Sequence, residues 1–568
     1  MTGSAPQDTQ HIGGEGLDAD TLKMMLEALD DFVGAALTPE KQLEFDHEDI
    51  CPEDIVRAMC SDELGVQLVF IPEAYGGMGG GAFDSYRVCE KMARHDIGLA
   101  TAVFATFLGS DPVLMGGTED QKKEWLGRIA EQGIVFAYGA TEPDAGSDLG
   151  ALTTRAVPVE EDGRVVGYKI TGRKQWISNG GIADATTILA NAPGGPTWFV
   201  VEKGTPGLEP AKHEDKHGIR LSNTTGIFLE DVYAPVENLL GGVEGQGLIQ
   251  AQKVFGYTRV MVAAFGLGGG IEAVNRAITY SVGREQGGSV LAKKQGYTHK
   301  LITPHVVKLE AARAYLEETA RRIDGGEGEN GAMNTEGAIA KYMCTEAGNA
   351  AAEAAIQAHG GNGYTREYVV EKIKRDVRIT LIYEGTSEIL EMTIARDRWQ
   401  HHLKTRGQHY VTAARELEAL HAASPTVGAG VAALANHALA AVLDACQRGR
   451  LTRNQHVLFR LGELISYAET AGAAARRAAE TLAGKPHAKS DRTFDGTALA
   501  TISRIFARDA ALKVGEDGLR WVIGAAEGGA EQASALGARL PLDAVRAAQA
   551  GLIADLDALT DVIYADKL

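Results

Sequence analysis

Glu384 stands in the turn-like run Tyr383-Glu384-Gly385-Thr386, downstream of the glycine-rich segment QAHGGNG that begins at Gln357. Its neighbours Ile379, Leu381, Ile382 and Tyr383 form an apolar wall. A carboxylate stripped of water by such a wall has a raised pKa and can take a proton from carbon. Gly360 and Gly361 carry no side chain, so their backbone can come close to a ligand. The competing reading is a helix-capping turn, with Thr386 or Ser387 as the cap and Glu384 solvated. Spacing alone favours that second reading.

Two other runs carry polar groups in unusual density. YGATEPDAGSD (138–148) sets Tyr138, Thr141 and Ser147 among small residues. KQWISNG (174–180) puts Trp176 beside Ser178, which by itself reads as a buried strand tryptophan before a polar turn. Two further matches are decoys. HEDKH (213–217) fits a zinc-protease pattern that works only on a helix, but Pro210 precedes it, Gly218 follows it and strands flank it. GGGIEA (268–273) fits a loose dinucleotide fingerprint, yet no strand precedes it, and close helix packing is the better reading. His401 and His402 are adjacent, so they cannot share a helix face as metal ligands, and both are expected in solvent.

These residues need elements to hold them. LKMMLEALDDFV and QKKEWLGRIAEQ space apolar residues three and four apart, as helices do. YGGMGGGAF (75–83) interrupts them as a loop. Between Ile134 and Leu240, VVGYKITG, TTILANA, TWFVVEK and GIFLEDVYAP are short, β-branched or aromatic, and read as strands of one antiparallel sheet or barrel. Long helical patterns return from Gly247 to Trp399 and continue, Ala-rich, to the C-terminus. There NQHVLFRLGELISYAETA echoes QGYTHKLITPHVVKLEAA as a degenerate second copy of a helical bundle.

Composition sets outer bounds. At 568 residues the chain exceeds a single core. Apolar and charged shares of 45% and 23% are those of a globular protein. A net charge of -20 argues against general affinity for nucleic acid or anionic membrane. Five scattered cysteines without a CxxC suit a reducing compartment. The first residues have neither a basic start nor an apolar run, and no apolar stretch elsewhere is expected to reach the length of a membrane span. A cytoplasmic protein with at most peripheral membrane contact is the expectation.

The run IQAHGGNGYTREYVVEKIKRDVRITLIYEGTSEILEMTIARDRW (356–399) resembles the C-terminal signature of the acyl-CoA dehydrogenases, and YGATEPDAGSDLGALTTRA (138–156) resembles their first. The resemblance covers about residues 20 to 400. It implies an α+β, mostly helical fold: a disordered tail (1–19), an N-terminal helical domain (20–136), a middle β-sheet or barrel domain (137–245) and a catalytic four-helix bundle (246–400). An additional helical domain (401–568) resembles the extension of the long-chain members. The activity implied is FAD-dependent α,β-dehydrogenation of an acyl-CoA of medium to long chain, part of fatty-acid β-oxidation, with electrons passed to electron-transferring flavoprotein.

The same resemblance assigns roles. Glu384 is the α-proton base and Arg259 supports its charge. Tyr138, Ala140 and Thr141 meet the flavin edge, Ser147 the flavin phosphate or CoA, and Trp176 and Ser178 flank the isoalloxazine. Gln357, Gly360 and Gly361, with Arg284 and Gln295, serve the ADP half of a neighbouring subunit's FAD, while Thr386, just after the base, completes the site at Glu384. Tyr257, Arg259, Gly385 and Ser147 contact substrate. Some relatives carry the base on an earlier helix, where this chain has Thr258. Two departures stand out: Gly256 replaces a common acidic residue, and Gly287 replaces a phenylalanine that stacks near adenine. A shared cofactor site implies a homo-oligomer, with a dimer favoured over a tetramer because the extension can replace the second dimer. Small residues in GLATAVFATFLGS (98–110), namely Gly98, Ala100, Ala102 and Ala105, leave room for a long acyl chain or else allow tight helix packing. Two other classes stay open. A DNA-associated flavoprotein of this fold predicts a basic extension, whereas residues 401–568 are roughly balanced in charge. An acyl-CoA oxidase differs only in how oxygen reaches the reduced flavin.

Overall fold

The computed structural model describes residues 16–327, 332–525, 529–565 and 567. Most of the 1–19 tail lies outside them. Leu17 is already buried and Asp18 caps the first helix, so the chain is ordered before residue 20.

Seven helices come first: α1 (Ala19–Ala36), α2 (Pro39–Glu48), α3 (Glu53–Met59), α4 (Val66–Phe70), α5 (Ala82–His95), α6 (Ile97–Gly116) and α7 (Glu119–Gln132). Their starts follow local chemistry. Asp96 caps α6, and Thr118 with Gln121 forms a reciprocal capping box on α7.

A seven-stranded sheet follows, made of β1 (Phe136–Gly139), β2 (Arg155–Glu161), β3 (Arg164–Ser178), β4 (Ala185–Ala192), β5 (Gly195–Glu202), β6 (Leu208–Pro210) and β7 (Thr224–Pro235). The order is β1-β4-β2-β3-β7-β6, with β5 also on β4. The sheet is mixed rather than antiparallel throughout: β1 and β2 both run parallel to β4. The misreading has a plain cause. β4 is buried along nearly its whole length, so it lacks the alternation that marks a one-sided antiparallel strand. Alternate residues feed two cores. Leu189, Trp198 and Val200 join the helical core, while Ile188, Phe199 and Val201 join the core of the sheet domain itself.

The next elements are α8 (Gly247–Gly283), the small hairpin β8 (Glu285–Gln286) and β9 (Ser289–Val290), α9 (Gln295–Leu301), α10 (Thr303–Arg322), α11 (Asn334–His359), α12 (Val369–Val377) and α13 (Ser387–Lys404). The helices α8, α10, α11 and α13 pack as a bundle, with α8 and α11 in contact over most of their length. Glycines permit that closeness. A Cβ on Gly266 would strike Thr345, and one on Gly270 would strike Gly348. GGGIEA thus lies inside α8 and serves close packing. HEDKH lies in the loop between β6 and β7, where the Thr224 backbone N–H donates to His213 Nδ1.

Seven more helices complete the chain: α14 (Gln408–Ala423), α15 (Ala429–Gly449), α16 (Gln455–Leu482), α17 (Gly496–Ala525), α18 (Gly529–Gly537), α19 (Leu542–Ala547) and α20 (Leu552–Tyr564). Charged groups fasten them to the bundle. Arg398 on α13 holds Glu469 on α16 through two N–H donors at 2.7 and 2.9 Å. Arg477 reaches Glu310 and Glu317 on α10. Tyr564 pairs with Ser281 at 2.9 Å, seating α20 on α8.

Two expectations fail here. Among the described residues two helices, α6 and α15, are long and apolar enough to cross a membrane, but 89% of the apolar stretch in α6 and 67% of that in α15 is buried inside the protein. Their hydropathy belongs to helices buried inside the protein, α6 lying against strand β1 as well as α5 and α8. His402 is not solvated. It is buried against Trp399 and Asp444, whereas His401 beside it is exposed, since adjacent residues on a helix point in different directions.

Candidate active site

The chain reverses between α12 and α13, and Glu384 sits at the reversal with φ of 53°. That left-handed conformation is uncommon for a side chain larger than glycine and marks a turn the surroundings impose. Three contacts impose it. Thr386 caps α13 by accepting from the Ile389 N–H. Lys341, fully buried on α11, donates to the Gly385 carbonyl at 2.7 Å. Thr258 on α8 donates its hydroxyl to Glu384 Oε2 at 3.1 Å. The capping turn and the positioned carboxylate are therefore the same structure, not alternatives.

Glu384 is half-buried. Burial raises its carboxyl above the ordinary value, and Arg259, Thr258 and Lys341 oppose the rise. Arg259 is buried too. Dehydration lowers its guanidinium to about 10, with Glu384 and Asp397 opposing, and it donates to Asn334 Oδ1 at 2.6 Å. Burial and the nearby Arg259 charge bring the Lys341 ammonium down to about 7. Ile382 is 46% exposed, so it walls Glu384 less fully than Tyr383 does. Tyr257, next to Thr258, shares a hydrogen bond of 2.9 Å with Ser85.

The first motif folds around a buried ion pair that its sequence did not single out. Glu142 accepts from Lys174 Nζ at 2.9 Å, from the Thr153 and Thr154 N–H groups and from the Thr153 hydroxyl. Lys174 also donates to the Ala140 carbonyl at 3.1 Å, which fixes Ala140 and Thr141 against β3. On β3 a bulge follows, with Trp176 at φ 62° and 61% exposed. The tryptophan is thus presented outward and not buried in the sheet. Ser178 and Tyr138 are half-buried, Tyr138 lying against Trp198, and Ser147 is exposed.

A bulge that strains a tryptophan into solvent suits a planar aromatic cofactor, and the polar Thr141 and Ser178 beside it suit a hydrogen-bonding ring edge. Gln357, Gly360 and Gly361 lie at the end of α11, all exposed, with nothing near the space a Cβ on either glycine would take. Arg284 is exposed at the end of α8. Gln295 donates to Asp557 on α20 at 2.8 Å, so the extension touches a residue expected to serve a neighbour's cofactor. The structure brings Glu384, Gly385, Thr258 and Arg259 into one cluster. The groups around Gln357, Arg284 and Gln295 face outward from this chain.

Family profiles match the chain in three consecutive pieces: acyl-CoA dehydrogenase, N-terminal domain, over residues 19–133; middle domain over 137–232; and C-terminal domain over 245–398. The chain belongs to the acyl-CoA dehydrogenase family. Among curated relatives, the short-chain specific acyl-CoA dehydrogenase of Megasphaera elsdenii is 36% identical over 379 residues, 65% of this chain and 96% of the relative. The structure of butyryl-CoA dehydrogenase from the same organism superposes with a TM-score of 0.62 at 34% identity, over 66% of this chain and 97% of that one. An acyl-CoA dehydrogenase complexed with FAD from Bacillus anthracis superposes with a TM-score of 0.81 at 24% identity, over 96% of this chain and 95% of that one. The fold of that family member therefore includes the C-terminal helices that the shorter relatives lack.

On α6, Gly98 packs against Ile219 and Leu221, and the Ala102 carbonyl accepts from Asn179 at 2.7 Å. The missing side chain at Gly98 thus serves packing. Sequence reading missed Lys341, Glu142, Lys174 and Asp111. All four are buried ionisable groups inside apolar or motif-like runs, and such placement is the signal that could have found them.

Proposed function

We propose that this family member is an FAD-dependent acyl-CoA dehydrogenase in which Glu384 removes the α-proton of a bound acyl-CoA. One observation carries the reading: a carboxylate in a left-handed turn, raised in pKa by burial and aimed by Thr258, with Arg259 beside it. FAD, when bound, supplies the hydride acceptor. Tyr138, Ala140, Thr141, Trp176 and Ser178 would hold its ring, and Ser147 its phosphate or the CoA. Gln357, Gly360, Gly361, Arg284 and Gln295 would hold the ADP half across a subunit boundary, and Thr386, just after the base, would complete the cofactor site beside Glu384.

Tyr257, Arg259 and Gly385 orient the thioester so that Cα faces Glu384. Glu384 takes the α-proton on its free carboxylate oxygen, while the β-hydrogen leaves with its electron pair. A trans-2-enoyl-CoA results. Lys341 and Arg259 hold the turn and balance the charge of the carboxylate before the proton arrives. The outward-facing Gln357 and Arg284 groups support a homodimer. Transfer of electrons to electron-transferring flavoprotein, a role in fatty-acid β-oxidation and a cytoplasmic location rest on the family resemblance.

The test is an anaerobic titration of the purified flavoprotein with acyl-CoAs of increasing length, beside Glu384→Gln. Bleaching of the oxidised flavin band in the wild type and its loss in the variant supports the reading. A flavin band that no acyl-CoA bleaches counts against it.

A further inference from the structure

The reaction as proposed uses no group on α6, yet that helix carries a single charged residue, Asp111, in an otherwise apolar run. Asp111 is only 6% exposed. No donor among the described residues reaches its carboxyl, and a buried carboxyl without a partner costs stability. A residue that costs stability and supports no fold contact calls for a use.

Helix packing says where it points. α6 and α8 run in opposite directions: Ile97 packs on Gly269, Phe104 on Phe265 and Gly116 on Gln250. Asp111 lies two turns beyond Phe104 on the same face of α6. That level on α8 is Tyr257 and Thr258, and Thr258 is the residue that holds Glu384. The electrostatics agree. Burial and then the charge of Glu384 raise the Asp111 carboxyl well above its ordinary value, and Asp111 in turn acts on Tyr138 and Tyr257.

We propose that Asp111 lines the acyl cavity beside Glu384 and selects acyl thioesters that carry a neutral hydrogen-bonding substituent, such as a hydroxyl, over plain hydrocarbon chains. The proposal rests on Glu384 marking the acyl site. A protonated carboxyl both donates and accepts, which matches a hydroxyl. A substrate carboxylate would meet the charge of Glu384, and a substrate ammonium would meet Arg259 and Lys341.

The experiment compares a short straight-chain acyl-CoA with its ω-hydroxy analogue of equal length, on the FAD-loaded protein. Flavin bleaching gives kcat/KM for each. The wild type is expected to favour the hydroxy compound by about tenfold. Asp111→Leu should abolish or invert that preference, and Asp111→Asn, which still donates and accepts, should keep it. Binding of the same pair to Glu384→Gln, read by perturbation of the flavin spectrum, gives the ratio without turnover. An Asp111→Leu ratio equal to the wild-type ratio, in turnover or in binding, overturns the proposal. A wild type with no preference overturns it as well. Failure of every acyl-CoA to bleach the flavin would instead strike the role of Glu384, and the binding ratios would still decide the role of Asp111.

Discussion

The Thr258 hydroxyl donates to Glu384 Oε2 at 3.1 Å, across 126 positions of sequence. The family resemblance matches Thr258 to the base position of some relatives, and this contact puts that α8 position beside the turn before α13 that carries Glu384. We infer that a carboxylate at either position would serve the same proton.

Moving the base follows from that inference. Glu384→Gln should slow flavin reduction by about a hundredfold to ten-thousandfold while leaving acyl-CoA binding largely intact. Adding Thr258→Glu to that variant should recover about tenfold or more of the loss. Single-turnover bleaching rates measure both, and a double variant no faster than Glu384→Gln would refute the inference.

Activity should fall as pH falls through the Glu384 pKa, because the base must be ionised. Burial raises that pKa, so the acid limb of kcat/KM should lie above the ordinary carboxylate range. Arg259 and the Thr258 hydroxyl both oppose the rise. Thr258→Val and Arg259→Met should each move the limb to higher pH. A limb that stays in place in both variants would show that Glu384 is not the titrating group.

Glu142 and Lys174 are a buried pair, 2.9 Å apart, that pins Ala140. Burial alone would raise the Glu142 carboxyl, but its hydrogen bonds and Lys174 bring it down to about 2. Glu142→Gln leaves Lys174 buried without its counter-charge, at a cost of about 3–5 kcal/mol. Both Tm and FAD retained through gel filtration should drop. Unchanged retention would separate this pair from the cofactor site.

Glu469 ties the extension to the bundle through Arg398 and Tyr315, and Tyr410 within the extension also donates to it. Burial opposes its ionisation, but Arg398 and its hydrogen bonds hold the carboxyl down at about 2. A depressed carboxyl stabilises the fold above its unfolded value near 4.5 and loses that contribution as pH falls toward 2. Glu469→Gln should lower Tm at neutral pH and flatten the acid dependence of stability between those values. Identical melting curves at pH 7 and pH 4 for wild type and variant would contradict this.

Local sequence determined much of this protein. Helix spacing in LKMMLEALDDFV, capping by Asp96 and Thr118, and the strand texture of TWFVVEK arise from neighbours along the chain, so they are legible without a structure. The family signature made Glu384 a candidate in the same way. What only the tertiary structure decided are relations between distant residues. β4 is central and parallel to β1 because both its faces are covered, which no local pattern records. His402 is buried because α15 carries Asp444 to it. Trp176 points outward because a bulge in the β3–β7 pairing turns it there. Glu384 is strained, dehydrated and aimed because α8 and α11 bring Thr258, Arg259 and Lys341 to it. Burial and charge at a site are sums over everything packed around it, and a linear sequence does not list those neighbours.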